Sequence, residues 1–104
     1  MTGEQTNQEL LCHAIEEERV VTFNYNWRVR EGEPYLVGTH KDEEELMVRV
    51  FQTGGESISG GLPDWRLFRL GRISNLELSD ESFRPRRSQY EPNDPDLLEP
   101  VCKV

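Results

Sequence analysis

A regular alternation of apolar and polar side chains over residues 20–27 is the feature that most constrains the fold of this chain. The apolar members would share one face of an extended strand: Val21, Phe23, Tyr25 and Trp27. Either Asn26 and Trp27 begin a turn, or the strand continues to Val29. A strand buried on one face needs other strands beside it to satisfy its backbone hydrogen bonds. Four later segments have strand-like composition and are separated by glycine, proline or charged residues: residues 33–40, 46–52, 65–70 and 73–78.

A short helix is predicted before the first strand. Thr6 and Glu9 have the spacing of a capping box, in which the hydroxyl accepts a backbone N–H and the carboxylate reaches back to the cap residue. Apolar residues then recur on one helical face, at Leu10, Leu11, Ala14 and Ile15. We expect the helix to end near Glu18.

The order of elements is one helix, five strands in a meander, and a tail. Five short antiparallel strands remove their exposed edges by curling into a small barrel, with the helix over one open end. We therefore predict a mainly β fold. Its parts are a disordered terminus (residues 1–6), a barrel domain (residues 7–83) and an extended, proline-rich tail (residues 84–104).

Length and charge limit the classes of function. A chain of 104 residues is one domain, with or without a tail. Its net charge of −8 argues against nucleic-acid or membrane binding over the whole surface. A local basic site is still allowed, because charges more than about 8–10 Å apart are largely screened at physiological salt.

The cysteines and histidines have no spacing typical of a metal site. Cys12 and Cys102 lie 90 residues apart, and neither forms a metal-ligand pattern with His13 or His40. We expect no metal, no cofactor, no signal peptide and no membrane-spanning segment. Two free cysteines in a cytoplasmic protein are the expectation, and a disulfide between the helix and the tail is the alternative.

Arginine and aromatic side chains are concentrated in residues 65–73, within an otherwise acidic chain. Alternation puts Trp65, Leu67 and Arg69 on one face of the fourth strand, and Arg66 on the other with the core. We expect Trp65 and Arg69 to form an exposed aromatic and cationic pair, with Arg72 joining them beyond a bend at Gly71. Alternatively, Trp65 packs beneath a glycine-rich loop predicted over residues 53–64, and the arginines pair with nearby carboxylates: Glu33, Asp64 or Glu77.

Three segments resemble the WYL domain family. Residues 11–25 resemble its opening helix and first strand, Glu33-Pro34-Tyr35 resembles the start of its second strand, and residues 68–73 (Phe-Arg-Leu-Gly-Arg-Ile) resemble its F-R-L-x-R-I signature. The match spans about residues 8–83. The Trp-Tyr-Leu run that names the family is absent, since residues 46–50 read Leu-Met-Val-Arg-Val, and the chain has no room for the DNA-binding domain of larger members.

The resemblance implies an Sm-like, five-stranded antiparallel β-barrel. It also implies a sensory or regulatory role, as in bacterial transcription regulators and defence-associated proteins. Members of the family are thought to bind anionic ligands, such as nucleotides or single-stranded nucleic acid, through basic and aromatic residues. Carried over by position, Arg69 and Arg72 are the candidates, and Tyr25 and Tyr35 match the aromatic positions more loosely.

We therefore expect a non-enzymatic module that binds a nucleotide or short single strand. Arginine suits phosphate because its planar group donates paired hydrogen bonds and stays charged. The expected ligand-binding residues are Arg69, Arg72, Arg66, Arg49, Trp65, Tyr35 and Tyr25. The alternative is a protein-interaction or homo-oligomerisation module that docks through the barrel and the tail, with anchors at Leu97, Leu98 and Val101. No spacing indicates catalytic residues.

Overall fold

The computed structural model describes residues 6–55, 64–84, 90 and 92–104, and within them it contains one helix and six strands. Of the terminus expected to be disordered (residues 1–6), residues 1–5 lie outside these ranges, and Thr6 is ordered as the N-cap of the helix. The elements are α1 (Asn7–Glu17), β1 (Arg19–Tyr25), β2 (Arg28–His40), β3 (Leu46–Gly55), β4 (Asp64–Arg69), a 3-10 turn (Leu70–Arg72), β5 (Ser74–Ser82) and β6 (Leu97–Lys103).

Helix α1 begins with the capping box that the sequence predicts. The Thr6 hydroxyl accepts the backbone N–H of Glu9 at 3.1 Å, and the Glu9 carboxylate accepts the backbone N–H of Thr6 at 2.9 Å. The helix ends at Glu18, which adopts a left-handed conformation with φ 55°. No helix in the described ranges is long and apolar enough to cross a membrane.

The strands form one antiparallel sheet in the order β4-β3-β2-β1-β5, and β6 pairs with β2. Pairing of β5 with β1 brings the last strand of the meander back beside the first. In the part of the chain that the structure describes, β4 and β5 do not pair with each other, so the sheet is not closed into a barrel. The expectation of a mainly β, antiparallel fold with one N-terminal helix is confirmed.

Strand β2 is the centre of the sheet. Its first part, from Arg28 to Gly32, pairs with β1, and its last part, from Leu36 to His40, pairs with β6. Because β3 occupies the opposite edge along nearly the whole length, β1 and β6 follow each other along the same edge of β2. Gly32 allows the close approach of β3, since a Cβ there would lie 2.5 Å from Val50 Cγ1.

The sixth strand corrects two sequence-based expectations. The sequence predicts five strands and an extended tail over residues 84–104, but residues 97–103 form β6 within the sheet. The segment lacks a periodic apolar pattern because β6 is an edge strand in which only Leu97 is buried. Its position is set by the backbone ladder to β2 and by contacts that sequence periodicity does not report.

Apolar side chains pack on both faces of the sheet. On one face α1 covers the main cluster, in which the rings of Phe23 and Phe68 meet edge to face at 5.0 Å. On the other face Tyr35 lies in one small cluster and Leu36 in another. The alternation predicted for β4 is confirmed, since Phe68 faces the main cluster while Trp65 and Leu67 face the smaller ones.

A disulfide joins α1 to β6 through Cys12 and Cys102, whose Cα atoms lie 5.6 Å apart. The expectation of two free cysteines is therefore wrong, and the alternative pairing of helix and tail is what the structure contains. The two cysteines meet because Cys102 pairs with Val37 in the centre of the sheet, beneath the face that α1 covers. The covalent link closes a loop of 90 residues.

Reducing this disulfide should destabilise the fold by about 2–4 kcal/mol, because the link restricts the unfolded chain over a long loop. Urea unfolding with and without dithiothreitol measures the effect. The double variant Cys12→Ala, Cys102→Ala is the matched control, and its unfolding midpoint should not respond to the reductant. A wild-type midpoint that also ignores the reductant, with two thiols titrated after reduction, would contradict this prediction.

Candidate functional site

The 3-10 turn that carries Arg72 is anchored by the first residue of α1. The Asn7 side-chain amide donates to the carbonyl oxygens of Leu70 at 3.0 Å and of Ile73 at 2.9 Å. These two bonds span the turn, and the buried side chains of Leu70 and Ile73 attach it to the main cluster. Arg72 lies between them in sequence and is exposed. Its backbone is thus fixed while its side chain faces solvent.

A two-residue turn connects β1 to β2 and exposes a tryptophan. Asn26 and Trp27 both have positive φ values, of 53° and 66°, as a type I′ hairpin turn requires. Asparagine tolerates this conformation, whereas a bulky residue such as tryptophan adopts it rarely and at a cost. Trp27 is 100% exposed, so it gains no burial that offsets this cost. A strained and fully exposed tryptophan is therefore a candidate site residue.

Trp27 and Arg72 line the same open cleft, which we call the Trp27 cleft. Its volume is about 660 Å³, and it lies where β1 ends beside the beginning of β5. Arg72 is the single charged residue among the described residues that line it. These are Asn24, Tyr25, Asn26, Trp27, Val29, Arg72, Ser74 and Asn75. The cleft therefore combines one cation, exposed aromatic surface and several amide or hydroxyl groups.

A second, smaller cleft adjoins the first, and we call it the Arg69 cleft. Its volume is about 430 Å³, and Tyr25 and Arg72 line both clefts. Arg69 lines it as well, but its guanidinium is in contact with the carboxylate of Glu43 and lies 3.8 Å from that of Glu45. The positive charge of Arg69 is thus neutralised by carboxylates of the same chain.

Tyr25 forms the wall between the two clefts and is held from several sides. Its hydroxyl accepts the backbone N–H of Arg69 at 3.2 Å, and its ring meets Phe68 edge to face at 4.8 Å. The guanidinium of Arg30 lies 5.7 Å from the centre of the Tyr25 ring and donates to the Tyr25 carbonyl oxygen at 3.1 Å. These contacts leave the ring little freedom to move.

The other two aromatic candidates lie in the core of the opposite face. Tyr35 is fully buried, and its hydroxyl donates to the Glu33 carboxylate at 3.1 Å. Trp65 is half-buried, with its ring 4.9 Å from that of Tyr35 and 5.1 Å from that of Phe51. The expected exposed pair of Trp65 and Arg69 is therefore not formed, because β3 supplies an aromatic neighbour directly opposite Trp65.

Arg49 and Arg66 lie outside both clefts. Arg49 forms ion pairs with Asp94 at 2.8 Å and with Asp96 at 3.1 Å, which attach the segment before β6 to β3. Arg66 lies 3.9 Å from the carboxylate of Asp64, one of the partners that the sequence offered as an alternative. Of the four candidate arginines, only Arg72 has no ion pair within the described residues.

Sequence reasoning missed Trp27 as a site residue. Its place in the alternation put it on the buried face with Phe23 and Tyr25, but of the two interpretations of this segment the structure contains the turn at Asn26 and Trp27. The signal for an exposed position is Asn26, a residue suited to a left-handed turn, between two strand-like runs. Arg30 was missed as well, since a buried arginine over aromatic rings leaves no periodic pattern.

Neither comparisons with known proteins nor a search for metal-ligating residues assigns a family or a ligand to this chain. No family model matches the sequence, and neither a curated protein nor a solved structure matches it. Within the described ranges, no group of three or more His, Cys, Asp or Glu residues is arranged to hold a metal ion. The resemblance to the WYL family therefore stays a prediction drawn from the sequence.

The ion pair between Arg49 and Asp94 should make the free energy of unfolding depend on pH. Burial alone would raise the pKa of Asp94, but hydrogen bonds from the Arg49 guanidinium and from backbone N–H groups, together with the charge of Arg49, lower it below 3.8. Ionised Asp94 therefore stabilises the fold above its usual pKa, and this contribution is lost as the pH falls through the lowered value.

We expect the free energy of unfolding to fall as the pH is lowered from 5 to 2, and Asp94→Asn to reduce this fall. Urea unfolding across that range measures both. Asp80→Asn is the matched control, since the carboxylate of Asp80 is fully exposed and lies 3.8 Å from Arg19. If Asp80→Asn changed the pH dependence as much as Asp94→Asn, the buried pair would not be its source.

Proposed function

We propose that the protein is a non-enzymatic binding module for an anionic ligand that carries an aromatic ring, namely a nucleotide or a short single strand of nucleic acid. The ligand would lie in the Trp27 cleft, with a phosphate at Arg72 and a base against Trp27. The observation that carries the proposal is that one cleft contains both an exposed tryptophan and an arginine that forms no ion pair with any other described residue.

The charge of the cleft supports an anionic ligand. The chain has 20 acidic residues among 104 and a net charge of −8, yet none of the described residues that line the Trp27 cleft is acidic. A phosphate at Arg72 would therefore meet a guanidinium and the neutral polar groups of Ser74 and Asn75. Distant carboxylates would contribute little, because salt screens charges beyond about 8–10 Å.

The aromatic surface supports a planar ligand. Trp27 is fully exposed, and Val29 beside it is 51% exposed, so an approaching base would gain contact without displacing protein side chains. Stacking of a base on an aromatic side chain contributes about 1–3 kcal/mol and tolerates different bases. Asn24, Asn26 and Asn75 could donate to or accept from the edges of a base or the oxygens of a sugar.

The pairing of the strands supports the proposal of an Sm-like, five-stranded barrel related to the WYL family. A closed meander of five strands needs pairings β1-β2, β2-β3, β3-β4 and β5-β1, and these are present. The remaining pairing, β4-β5, is not formed in the described residues, and a 3-10 turn connects these two strands along the chain. In this proposal β6 is an addition to the barrel, and the module has a regulatory role.

A binding role without catalysis agrees with the residues that line the Trp27 cleft. In the part of the chain that the structure describes, these residues include no carboxylate, histidine or cysteine that could act as a nucleophile or accept a proton at neutral pH. The cytoplasmic location expected from the sequence was accompanied by the expectation of two free cysteines. The disulfide of Cys12 and Cys102 is the arrangement typical of oxidising compartments, and it favours such a compartment as the alternative.

A second candidate function is protein interaction or homo-oligomerisation through β6. Of the three anchors expected from the sequence, Leu97 is buried, while Leu98 and Val101 are 51% and 45% exposed. Exposed apolar side chains on an edge strand favour contact with another chain. Pro100 lies between them and lacks an N–H for a further ladder, so side chains would dominate such a contact.

Two single variants, Trp27→Ala and Arg72→Ala, should each weaken the binding of adenosine 5′-monophosphate and of a short labelled oligothymidylate by about tenfold or more. The loss of stacking or of a charge-assisted hydrogen bond would account for this change. Calorimetry for the nucleotide and fluorescence anisotropy for the oligonucleotide measure the dissociation constants. Arg72→Ala should also reduce the dependence of oligonucleotide binding on salt.

Arg84→Ala is the matched control for Arg72→Ala. Arg84 is exposed and follows the far end of β5, about 25 Å along the strand from Ser74 at 3.3 Å per residue. Its replacement changes the net charge equally but should leave binding nearly unaffected. Equal losses from both variants would mean that only the overall charge matters. No saturable binding by the wild type would refute the proposal.

A further inference from the structure

The position of Arg72 between the two clefts determines where a longer ligand would extend. Arg72 lines both the Trp27 cleft and the Arg69 cleft. A ligand whose base lies on Trp27 and whose phosphate lies at Arg72 would therefore direct any further phosphate away from Trp27, into the Arg69 cleft. The charges of the Arg69 cleft thus decide how many phosphates the site accepts.

The Arg69 cleft is unsuited to a second phosphate, because its own arginine is neutralised by two carboxylates. The Arg69 guanidinium contacts Glu43 and lies 3.8 Å from Glu45. A phosphate that entered this cleft would have to displace both carboxylates from Arg69 or accept their repulsion. Either alternative has a free-energy cost that is absent for a ligand with one phosphate at Arg72.

The two carboxylates are held in place by the turn between β2 and β3. The Nδ1 atom of His40 accepts the backbone N–H groups of Asp42 at 3.2 Å and of Glu43 at 3.3 Å. The His40 carbonyl oxygen accepts the N–H of Glu44 at 3.1 Å, and the His40 N–H donates to the carbonyl oxygen of Glu45 at 2.9 Å. The turn therefore presents Glu43 and Glu45 to Arg69 from an ordered backbone.

We propose that Glu43 and Glu45 are specificity-determining residues that restrict the site to ligands with one phosphate group beside the base, and exclude nucleoside diphosphates and triphosphates. This inference rests on the function proposed above and adds the class of ligand. A nucleoside monophosphate, or a single phosphodiester of a strand that leaves the cleft at Arg72, fits this restriction. The arginine that could bind a longer phosphate chain is present but occupied.

The test compares adenosine 5′-monophosphate with adenosine 5′-triphosphate, by calorimetry in the absence of divalent cations. The wild type should bind the monophosphate about tenfold or more tightly than the triphosphate. In the double variant Glu43→Gln, Glu45→Gln, Arg69 is released toward the cleft. The ratio of the two dissociation constants should then shift by at least about tenfold in favour of the triphosphate.

The double variant Asp42→Asn, Glu44→Gln is the matched control. It changes the same turn and the same net charge, but neither side chain forms an ion pair with Arg69 within the described residues. It should keep most of the preference for the monophosphate. Equal shifts in the two double variants, or a wild type that binds the triphosphate as tightly as the monophosphate, would overturn the inference.

Failure of the underlying proposal has a different signature. If the wild type binds neither nucleotide, or if Arg72→Ala leaves both affinities unchanged, the function proposed for the Trp27 cleft is refuted, and the restriction falls with it. If Arg72→Ala weakens both nucleotides but the wild type prefers the triphosphate, only the role of Glu43 and Glu45 is refuted. Circular dichroism checks that each variant is folded.

Discussion

The pairing of β1 with two neighbours is the constraint on which the proposed site depends. At its end, Tyr25 pairs with Arg28 across the turn that exposes Trp27, while Asn24 pairs with Ser74 at the beginning of β5. Because the 3-10 turn directly precedes β5, this register brings Arg72 beside the same end of β1. Two turns that are distant in sequence therefore contribute the tryptophan and the arginine of one cleft.

The acidic character of the chain gives the arginines different roles. Carboxylates neutralise Arg49 and Arg69, and Arg66 has Asp64 beside it, so these residues mainly hold strands and turns together. Arg72 is the last residue of a turn that Asn7 anchors, and no described carboxylate forms an ion pair with it. In such a protein the informative feature is the arginine that the acidic residues leave exposed, not the number of arginines.

The sequence predicted the helix and the strands of the meander better than it predicted which side chains are exposed. The capping box at Thr6, the period-two strands and the alternation along β4 follow from local rules, and the structure confirms them. The sixth strand and the disulfide depend on contacts across about 60 or more residues, which no local pattern reports. The exposure of individual side chains was predicted least well. Trp65 is half-buried because it meets an aromatic partner from β3, whereas Trp27 is exposed because it falls in the turn that follows β1.

The most direct test of the account uses the indole N–H resonances of the two tryptophans, which separate the proposed site from the aromatic cluster on the opposite face. In ¹⁵N-resolved NMR, a titration with adenosine 5′-monophosphate should shift the Trp27 indole together with the amides of Asn24, Ser74 and Asn75, saturably and with one dissociation constant. The Trp65 indole should stay in place. Saturable shifts centred on Trp65 or on β6, with Trp27 unaffected, would contradict the account.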